Sequence, residues 1–348
     1  MISKHNLLSK KKALGIFSAG LDSWLSAILI KEQGFDVYLL HFVSPMFGYK
    51  GDELENIRLA IEEKGMKLIV YLVGDDYVDD VVKKPKHGVG SALNSCIDCH
   101  RYMLQRAKKI MSEIEAEFVF SGEVLGQRPM SQRREALDMV EKESELCGYL
   151  LRPLSAKLLP QTVAEQEGII DRSKLLSIYG RGRSQQVKLA KDLDLCKFPQ
   201  PSGGCKFTDK NIRSRFFSIK NINNDISWQD LELITIGRHF NLGGGYYLIL
   251  ARDFRECQEL LKHKNKGAFV EAKNMGGTKG ILINYGSDSF KDNEKKYRLS
   301  ASIVARYTKI PEGHGNFVDI IFHEINGDKM DINIEPIDKN KMKKYLIV

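Results

Sequence analysis

Between residues 13 and 154, short uninterrupted apolar runs rich in β-branched and aromatic side chains alternate with stretches whose apolar residues recur at helical spacing. Runs this continuous are the mark of parallel strands covered on both faces by helices. The pattern predicts strands at 14–17, 37–42 and 68–73, with helices at 22–33 and 53–64 between them. A Gly/Asn/Ser-containing connection at 88–95 then leads to a helix at about 100–116 and another buried strand at 118–121. From 161 to 195 the pattern is mostly helical, until Phe198-Pro199-Gln200-Pro201-Ser202-Gly203-Gly204 breaks it. Beyond the break, strand-like runs at 246–251, 281–285 and 318–323, glycine-rich turns and one or two helices predict an α+β module. Two domains are therefore expected, 1–206 with a Rossmann-like α/β parallel sheet and 207–348 with an α+β fold.

Composition narrows the classes. A length of 348 residues suits two domains, and 43% hydrophobic residues can form a core in each, which excludes a disordered chain. No apolar run approaches the roughly 20 residues needed to span a bilayer. Met1-Ile2-Ser3-Lys4-His5 leads into no export signal, so a cytoplasmic protein without a membrane partner is expected. Six cysteines are too few for a disulfide scaffold at this length, so their spacing must say whether they are core fillers or chemistry. A net charge of +8 favours a polyanionic partner without identifying it.

The most informative segment is Ser18-Ala19-Gly20-Leu21-Asp22-Ser23, which joins the first predicted strand to the first helix. Backbone N–H groups at a helix N-terminus lack intrahelical partners and favour a phosphate. Gly20 permits close approach, Ser18 and Ser23 supply hydroxyls, and Asp22 can hold a magnesium ion. No Gly-Lys-Ser/Thr follows, so this is not a Walker loop. Taken alone, the segment could equally be an ordinary capped turn; its place at the carboxyl end of a parallel sheet favours a ligand.

The segment resembles the PP-loop of the ATP pyrophosphatase superfamily, usually Ser-Gly-Gly-x-Asp-Ser, with Ala19 departing at the second position. The alanine is costly only if that position needs a positive φ. The resemblance implies ATP cleavage between the α and β phosphates and transfer of AMP to a carbonyl oxygen that a nucleophile then displaces. A second segment, Ser121-Gly122-Glu123-Val124-Leu125-Gly126-Gln127-Arg128-Pro129-Met130-Ser131-Gln132, is another loop at the strand ends, where Gly122 and Gln127 are candidates for nucleotide contact. It resembles the Gly-Glu-x-Leu-Gly-Gln-x-x-Ser-Gln signature of tRNA 4-thiouridine synthases, and Leu151-Arg152-Pro153-Leu154 resembles the Arg-Pro-Leu segment that follows it there. The chain opens close to its first strand, so the THUMP region of longer family members is not expected and tRNA must be gripped elsewhere.

Cys96-Ile97-Asp98-Cys99 lies at a predicted helix start, and Cys205 follows the Pro/Gly break. No second Cys-x-x-Cys or His-x-x-x-His completes a four-ligand zinc site. Three thiolates suit a 4Fe–4S cluster with one iron open to sulfide. Cluster-dependent tRNA thiolation enzymes resemble this grouping; a persulfide on one cysteine, resolved by another, is the competing mechanism. Cys147, Cys196 and Cys257 read as small buried hydrophobes, and His100 as an ordinary helix residue.

In the second domain, Ile236-Gly237-Arg238-His239-Phe240-Asn241-Leu242, the run from Leu250 to Leu260 and the run from Ala301 to Tyr307 resemble the NFACT-type RNA-binding domain. Arg238, His239, Arg252 and Arg306 are its candidate RNA contacts, joined in the first domain by Arg181 and Arg183. Lys210, Arg213, Arg215 and Lys220 interleave with Phe216 and Phe217 and lend support. The resulting expectation is an ATP-dependent tRNA sulfurtransferase giving 4-thiouridine, using ATP, magnesium and a 4Fe–4S cluster. Its partners would be tRNA and a sulfur donor, either sulfide or a cysteine desulfurase system. Thiolation at C2 of the same ring, a non-catalytic RNA-binding factor and a small-molecule ligase are the alternatives.

Overall fold

Five parallel strands, β1 (Lys12–Ile16), β2 (Asp36–Val43), β3 (Lys67–Leu72), β4 (Phe118–Ser121) and β5 (Leu150–Leu151), form one sheet in the order β3-β2-β1-β4-β5. The computed structural model describes residues 11–90, 92–195, 204–286, 294–311 and 315–348. The chain divides into two compact units, Met1–Cys205 and Lys206–Val348.

In the first unit, the chain steps outward from β1 through α1 (Leu21–Lys31), β2 and α2 (Gly51–Glu63) to β3. It then returns through α3 (Cys96–Glu113) to place β4 on the other side of β1, so the direction of winding reverses between β1 and β4. The loops leaving those two strands face each other across the carboxyl ends of the sheet, the usual position of a ligand crevice in such folds. Every residue of α1 from Ser23 to Ile30 is buried, because the helix packs on the sheet and is itself covered by α5 (Ser184–Asp192). Phe17 meets Trp24 edge-to-face at 5.0 Å, fixing the strand end against the helix. The remaining helix of this unit with a clear apolar face, α4 (Arg134–Glu143), packs beside α3.

The expected parallel α/β architecture is present, but the largely helical stretch at 161–195 is not. Only Val163–Gln166 and α5 are α-helical there, with a single 3-10 turn at Arg172–Lys174. Backbone groups of this stretch bond the sheet-end loops instead: Leu176 N–H donates to Pro153 O at 2.9 Å and Ile178 N–H to Leu154 O at 2.8 Å.

The second unit is an antiparallel sheet of β6 (Arg238–Gly243), β7 (Tyr246–Leu250), β8 (Ala268–Ala272), β9 (Lys279–Asn284), β10 (Val318–His323), β11 (Lys329–Ile334) and β12 (Leu346–Ile347). Their order is β11-β10-β8-β9-β7-β6-β12. Phe240, Leu242, Tyr246, Leu248 and Leu250 form a core with Ala301, Val304 and Ala305 of α9 (Glu294–Arg306). Helices α6 (Lys210–Lys220), α7 (Trp228–Leu233), α8 (Phe254–Leu261) and α10 (Lys339–Lys343) make this unit richer in helix than the one or two expected. Among the described residues, no helix is long and apolar enough to cross a membrane.

Candidate functional site

The loop leaving β1 is shaped by its surroundings. Ala19 is fully buried at φ 59°, a left-handed conformation costing a residue with a Cβ about 1–2 kcal/mol. Position 19 therefore does need the positive φ that makes alanine costly. Gly20 caps α1, and the N–H groups of Leu21 and Asp22 in its first turn have no intrahelical acceptor. The Leu21 side chain is buried in the core, so its backbone alone faces the loop. Ser18 is exposed with its hydroxyl 3.5 Å from that of Ser23. Ser23, expected to offer its hydroxyl to phosphate, donates it to Gly20 O at 2.8 Å. Behind the loop, Nδ1–H of His41 donates to Phe17 O at 2.8 Å while Nε2 accepts from Tyr49 N–H at 3.0 Å. These bonds fix a neutral tautomer, consistent with burial lowering its pKa.

The loop leaving β4 lies directly against this one. A Cβ on Gly122 would stand 2.7 Å from Ser23 N and 2.8 Å from Asp22 C, so only glycine lets the two backbones touch. Gln127 Nε2 donates to Asp22 Oδ2 at 2.7 Å, and its own carbonyl accepts from Gln186 Nε2 at 3.0 Å. Gln127, expected at the nucleotide, thus spends its amide holding the aspartate. Arg183 approaches Asp22 Oδ2 at 3.8 Å. Burial raises the Asp22 pKa, and the Gln127 bond with the charges of Arg183 and Arg128 only partly offsets it. Asp22 Oδ1 is buried without a hydrogen-bond partner, as are Gln186 Oε1 and, in the β4 loop, Ser131 Oγ and Gln132 Oε1. Unpaired buried polar atoms are costly in an otherwise satisfied structure, and water, an ion or a ligand can supply the missing bonds. The orphaned carboxylate oxygen beside a helix N-terminus suits magnesium, which takes one or two carboxylates and completes its shell with water and phosphate.

Below the second loop is a buried ionic network that sequence reading did not find. Glu123 accepts from Ser121 Oγ at 3.0 Å, His100 Nδ1 at 2.8 Å and Arg152 Nε at 3.0 Å. Arg152 also donates to Glu141 at 2.8 Å and to Leu137 O at 3.2 Å. Burial alone would raise the Glu123 pKa, but Arg152 and His100 outweigh it and bring the value down to about 2. His100 is therefore no ordinary helix residue. It fastens the first turn of α3 to the loop of β4.

That turn carries the thiols. Cys96 and Cys99 are three residues apart at the start of α3 and share a face. Tyr77 donates its hydroxyl to Cys99 Sγ at 3.3 Å, and Asn94 Nδ2 stands 3.7 Å from Cys96 Sγ and 3.8 Å from Met130 Sδ of the β4 loop. Burial pushes the Cys99 thiol up, Tyr77 offsets part of this, and the charges of Cys205 and Cys96 push it further. Cys96, Cys99 and Cys205 thus lie within electrostatic range of one another, and none of them is in a disulfide. Soft sulfur ligands, once deprotonated, are the donor set an iron–sulfur cluster takes. Among the described residues, no three His, Cys, Asp or Glu side chains close to metal-binding arrangement. Asp98, between the cysteines, is fully buried and accepts from the N–H groups of Lys86 and His87 at 3.2 and 2.9 Å. Cys257 is buried as expected, but Cys147 is exposed, because it sits in a turn with Gly148 at φ 77° ahead of β5. Cys196 lies outside the described residues.

The expected RNA contacts fare unevenly. Arg181 is exposed beside Gly180, whereas Arg183 turns toward Asp22. In the second unit, Arg306 is exposed at the end of α9, and Arg238 stands 4.9 Å over the Tyr307 ring. Arg252 is held by Glu256 through Nε at 2.8 Å. His239 must be corrected: it is fully buried, donates Nε2–H to Ile236 O at 2.7 Å, and burial with the nearby Arg215 pushes its pKa down to about 3. It is a neutral core residue and cannot reach RNA. Phe216 is core, and Phe217 is 38% exposed with Arg213 5.5 Å from its ring.

Residues 8–173 match the family described as Thiamine biosynthesis protein (ThiI), and residues 237–346 match the NFACT protein RNA binding domain. A protein named Probable tRNA sulfurtransferase from Thermococcus kodakarensis is 28% identical over 174 residues, which is 48% of this chain and 41% of that one. Its namesake from Methanocaldococcus jannaschii is 29% identical over 186 residues, 52% of this chain and 44% of that one. The match thus spans less than half of either relative. Among solved structures, a 4-thiouridine synthetase–RNA complex with bound ATP gives a TM-score of 0.34 at 24% identity, covering 53% of this chain and 52% of that one.

Proposed function

We propose that this chain, a ThiI-type PP-loop domain followed by an NFACT-type RNA-binding domain, is an ATP-dependent tRNA sulfurtransferase that converts uridine to 4-thiouridine. The observation that carries this reading is the shared crevice: the phosphate loop and the cysteine turn are fastened to the same β4 loop, through Gln127–Asp22 and His100–Glu123. A nucleotide bound at one and sulfur handled at the other would act on a single carbon.

In this reading the uracil O4 attacks the α-phosphorus of ATP, forming a C–O–AMP bond and releasing pyrophosphate. A sulfur nucleophile then attacks C4, and AMP leaves with the original oxygen. The N–H groups of Leu21 and Asp22, with the Ser18 hydroxyl, would receive the departing pyrophosphate at the α1 N-terminus. Asp22 would hold magnesium through Oδ1, where the ion would offset phosphate charge. Cys96, Cys99 and Cys205 would hold a 4Fe–4S cluster, which when bound supplies an iron without a protein ligand for sulfide. Ser23, Ala19 and Gly20 keep the loop in shape, while Gln127 and Gly122 set the position of Asp22. Arg181, in the first unit, and Arg238, Arg252 and Arg306, in the second, would be the remaining cations offered to RNA.

The test is nucleoside analysis of tRNA from a strain lacking the chain, complemented with the parent or with Cys96→Ser, Cys99→Ser or Cys205→Ser. We expect 4-thiouridine to vanish and return with the parent alone, and each variant purified anaerobically to lose iron. Loss of 2-thiouridine with 4-thiouridine intact would move the reaction to the neighbouring carbonyl, and unchanged thiolation would overturn the reading. Active, iron-free variants would end the cluster assignment.

A further inference from the structure

Residues 178–183 form an arch over the β4 loop, pinned at several points. Ser155, fully buried, donates its hydroxyl to Ile178 O at 2.7 Å and accepts from Leu125 N–H at 3.0 Å. Ile178 N–H donates to Leu154 O at 2.8 Å, and Gly180 N–H donates to Leu125 O at 2.8 Å. Tyr179 therefore has fixed backbone on both sides, yet its side chain is 68% exposed. One edge of the ring rests on Gly126, where an added Cβ would fall 2.9 Å from Tyr179 Cε2 and 3.1 Å from Cζ. The next residue, Gln127, holds Asp22, and Arg183, four residues past the tyrosine, approaches the same carboxylate. Arg181 and Arg128 are exposed nearby in the arch and the loop.

An aromatic ring backed by rigid structure, open to solvent on its remaining surface and set beside a nucleotide loop has one evident use. Every nucleobase offers a π-face, and stacking on an aromatic side chain is worth about 1–3 kcal/mol per base. We propose that Tyr179 is a stacking platform for a base of the RNA substrate, with the exposed Arg181 and Arg128 taking the flanking phosphates. The inference rests on RNA being substrate at this crevice. The adenine of ATP has the same face, but small-molecule sites enclose about 70–90% of their ligand, and this ring is open above. A base carried on a polymer brings its own cover.

The geometry also explains why position 126 is glycine. Its φ of +78° favours glycine, and any side chain there would lift the ring off the loop.

The experiment places an indole on the arch by Tyr179→Trp in the full chain, whose own two tryptophans are read in the parent as background. Emission is followed on titration with unmodified tRNA transcript and, separately, with a non-hydrolysable ATP analogue, while anisotropy of labelled transcript reports binding in the same samples. We expect transcript to quench the new indole and the analogue alone to leave it unchanged. Tyr179→Ala should weaken transcript binding about 5- to 150-fold, Tyr179→Phe should retain it, and the analogue's Kd should stay the same in both. Quenching by the analogue alone would give the ring to adenine. Transcript that binds without quenching would overturn the stacking role while leaving the tRNA reading intact. Transcript that does not bind the parent would overturn both.

Discussion

Replacing Gly122 by alanine perturbs the crevice at the one contact where two backbones leave no room. The new methyl would meet Ser23 N at 2.7 Å, Asp22 C at 2.8 Å and Asp22 O at 2.9 Å, three main-chain atoms that cannot rotate aside. Ordinary contact requires the β1 and β4 loops to part by about 0.7 Å. Overpacking of this kind costs about 1–3 kcal/mol, a melting shift of roughly 2–4 °C for each kcal/mol in a unit of this size. The effect on chemistry should be larger than the effect on stability. Asp22 would be carried away from Gln127, which now holds it at 2.7 Å, and displacement of a catalytic array by about 1 Å costs up to ~100-fold in rate. The assay is tRNA-dependent AMP release beside a thermal melt, with Gly276→Ala, where a Cβ meets nothing within 4 Å, as the control. AMP release within threefold of the parent would refute the claim that contact between the loops sets the position of Asp22.

Two further outcomes follow from charge. Because burial raises the Asp22 pKa, ionisation of Asp22 opposes folding at neutral pH, so Asp22→Asn should melt higher than the parent at pH 7 while losing nearly all AMP release. The difference in melting should shrink toward pH 4, and a lower melting point at pH 7 would refute the argument. Glu123 is the opposite case: with its pKa depressed to about 2 from 4.5, it contributes stability that is fully present above the unfolded value and lost as pH falls through about 2. Glu123→Gln leaves the Arg152 guanidinium under-compensated and should cost about 3 kcal/mol in urea unfolding at pH 7, with the gap closing toward pH 2.

The parallel sheet was legible because strands covered on both faces read as continuous apolar runs: 37–42 was expected as a strand and Asp36–Val43 is one. β5 was not, since two residues carry no period and only pairing with Val119 and Phe120 defines it. At 161–195 helix-favouring residues were overruled by hydrogen bonds to Pro153 and Leu154, together with Gly168 at φ 66°. His239 was misread because its cover comes from elsewhere in the chain. Alternation sets it on the face of β6 opposite Phe240 and Leu242, and that face is closed over it by Tyr247, whose ring lies 5.6 Å away, with Arg215 nearby. The loop at 18–23 and the pair Cys96 and Cys99 could be singled out as candidates because each is a run of neighbouring residues. His100, Ser155 and Gln186 were not, because their partners Glu123, Leu125 and Gln127 lie 23, 30 and 59 residues away.

The chain of amides running from Gln186 through Gln127 to Asp22 also orders events in time. During synthesis the loop at 18–23 emerges first, but Asp22 cannot be fixed until the β4 loop arrives and Gln127 is itself held by Gln186. Ala19 sits in a conformation that its own sequence disfavours, so the loop has no reason to take its final shape early. The loop at 18–23 is consequently among the last parts of its domain to mature, and a nascent chain shorter than about 190 residues has the strands of the sheet without a fixed Asp22.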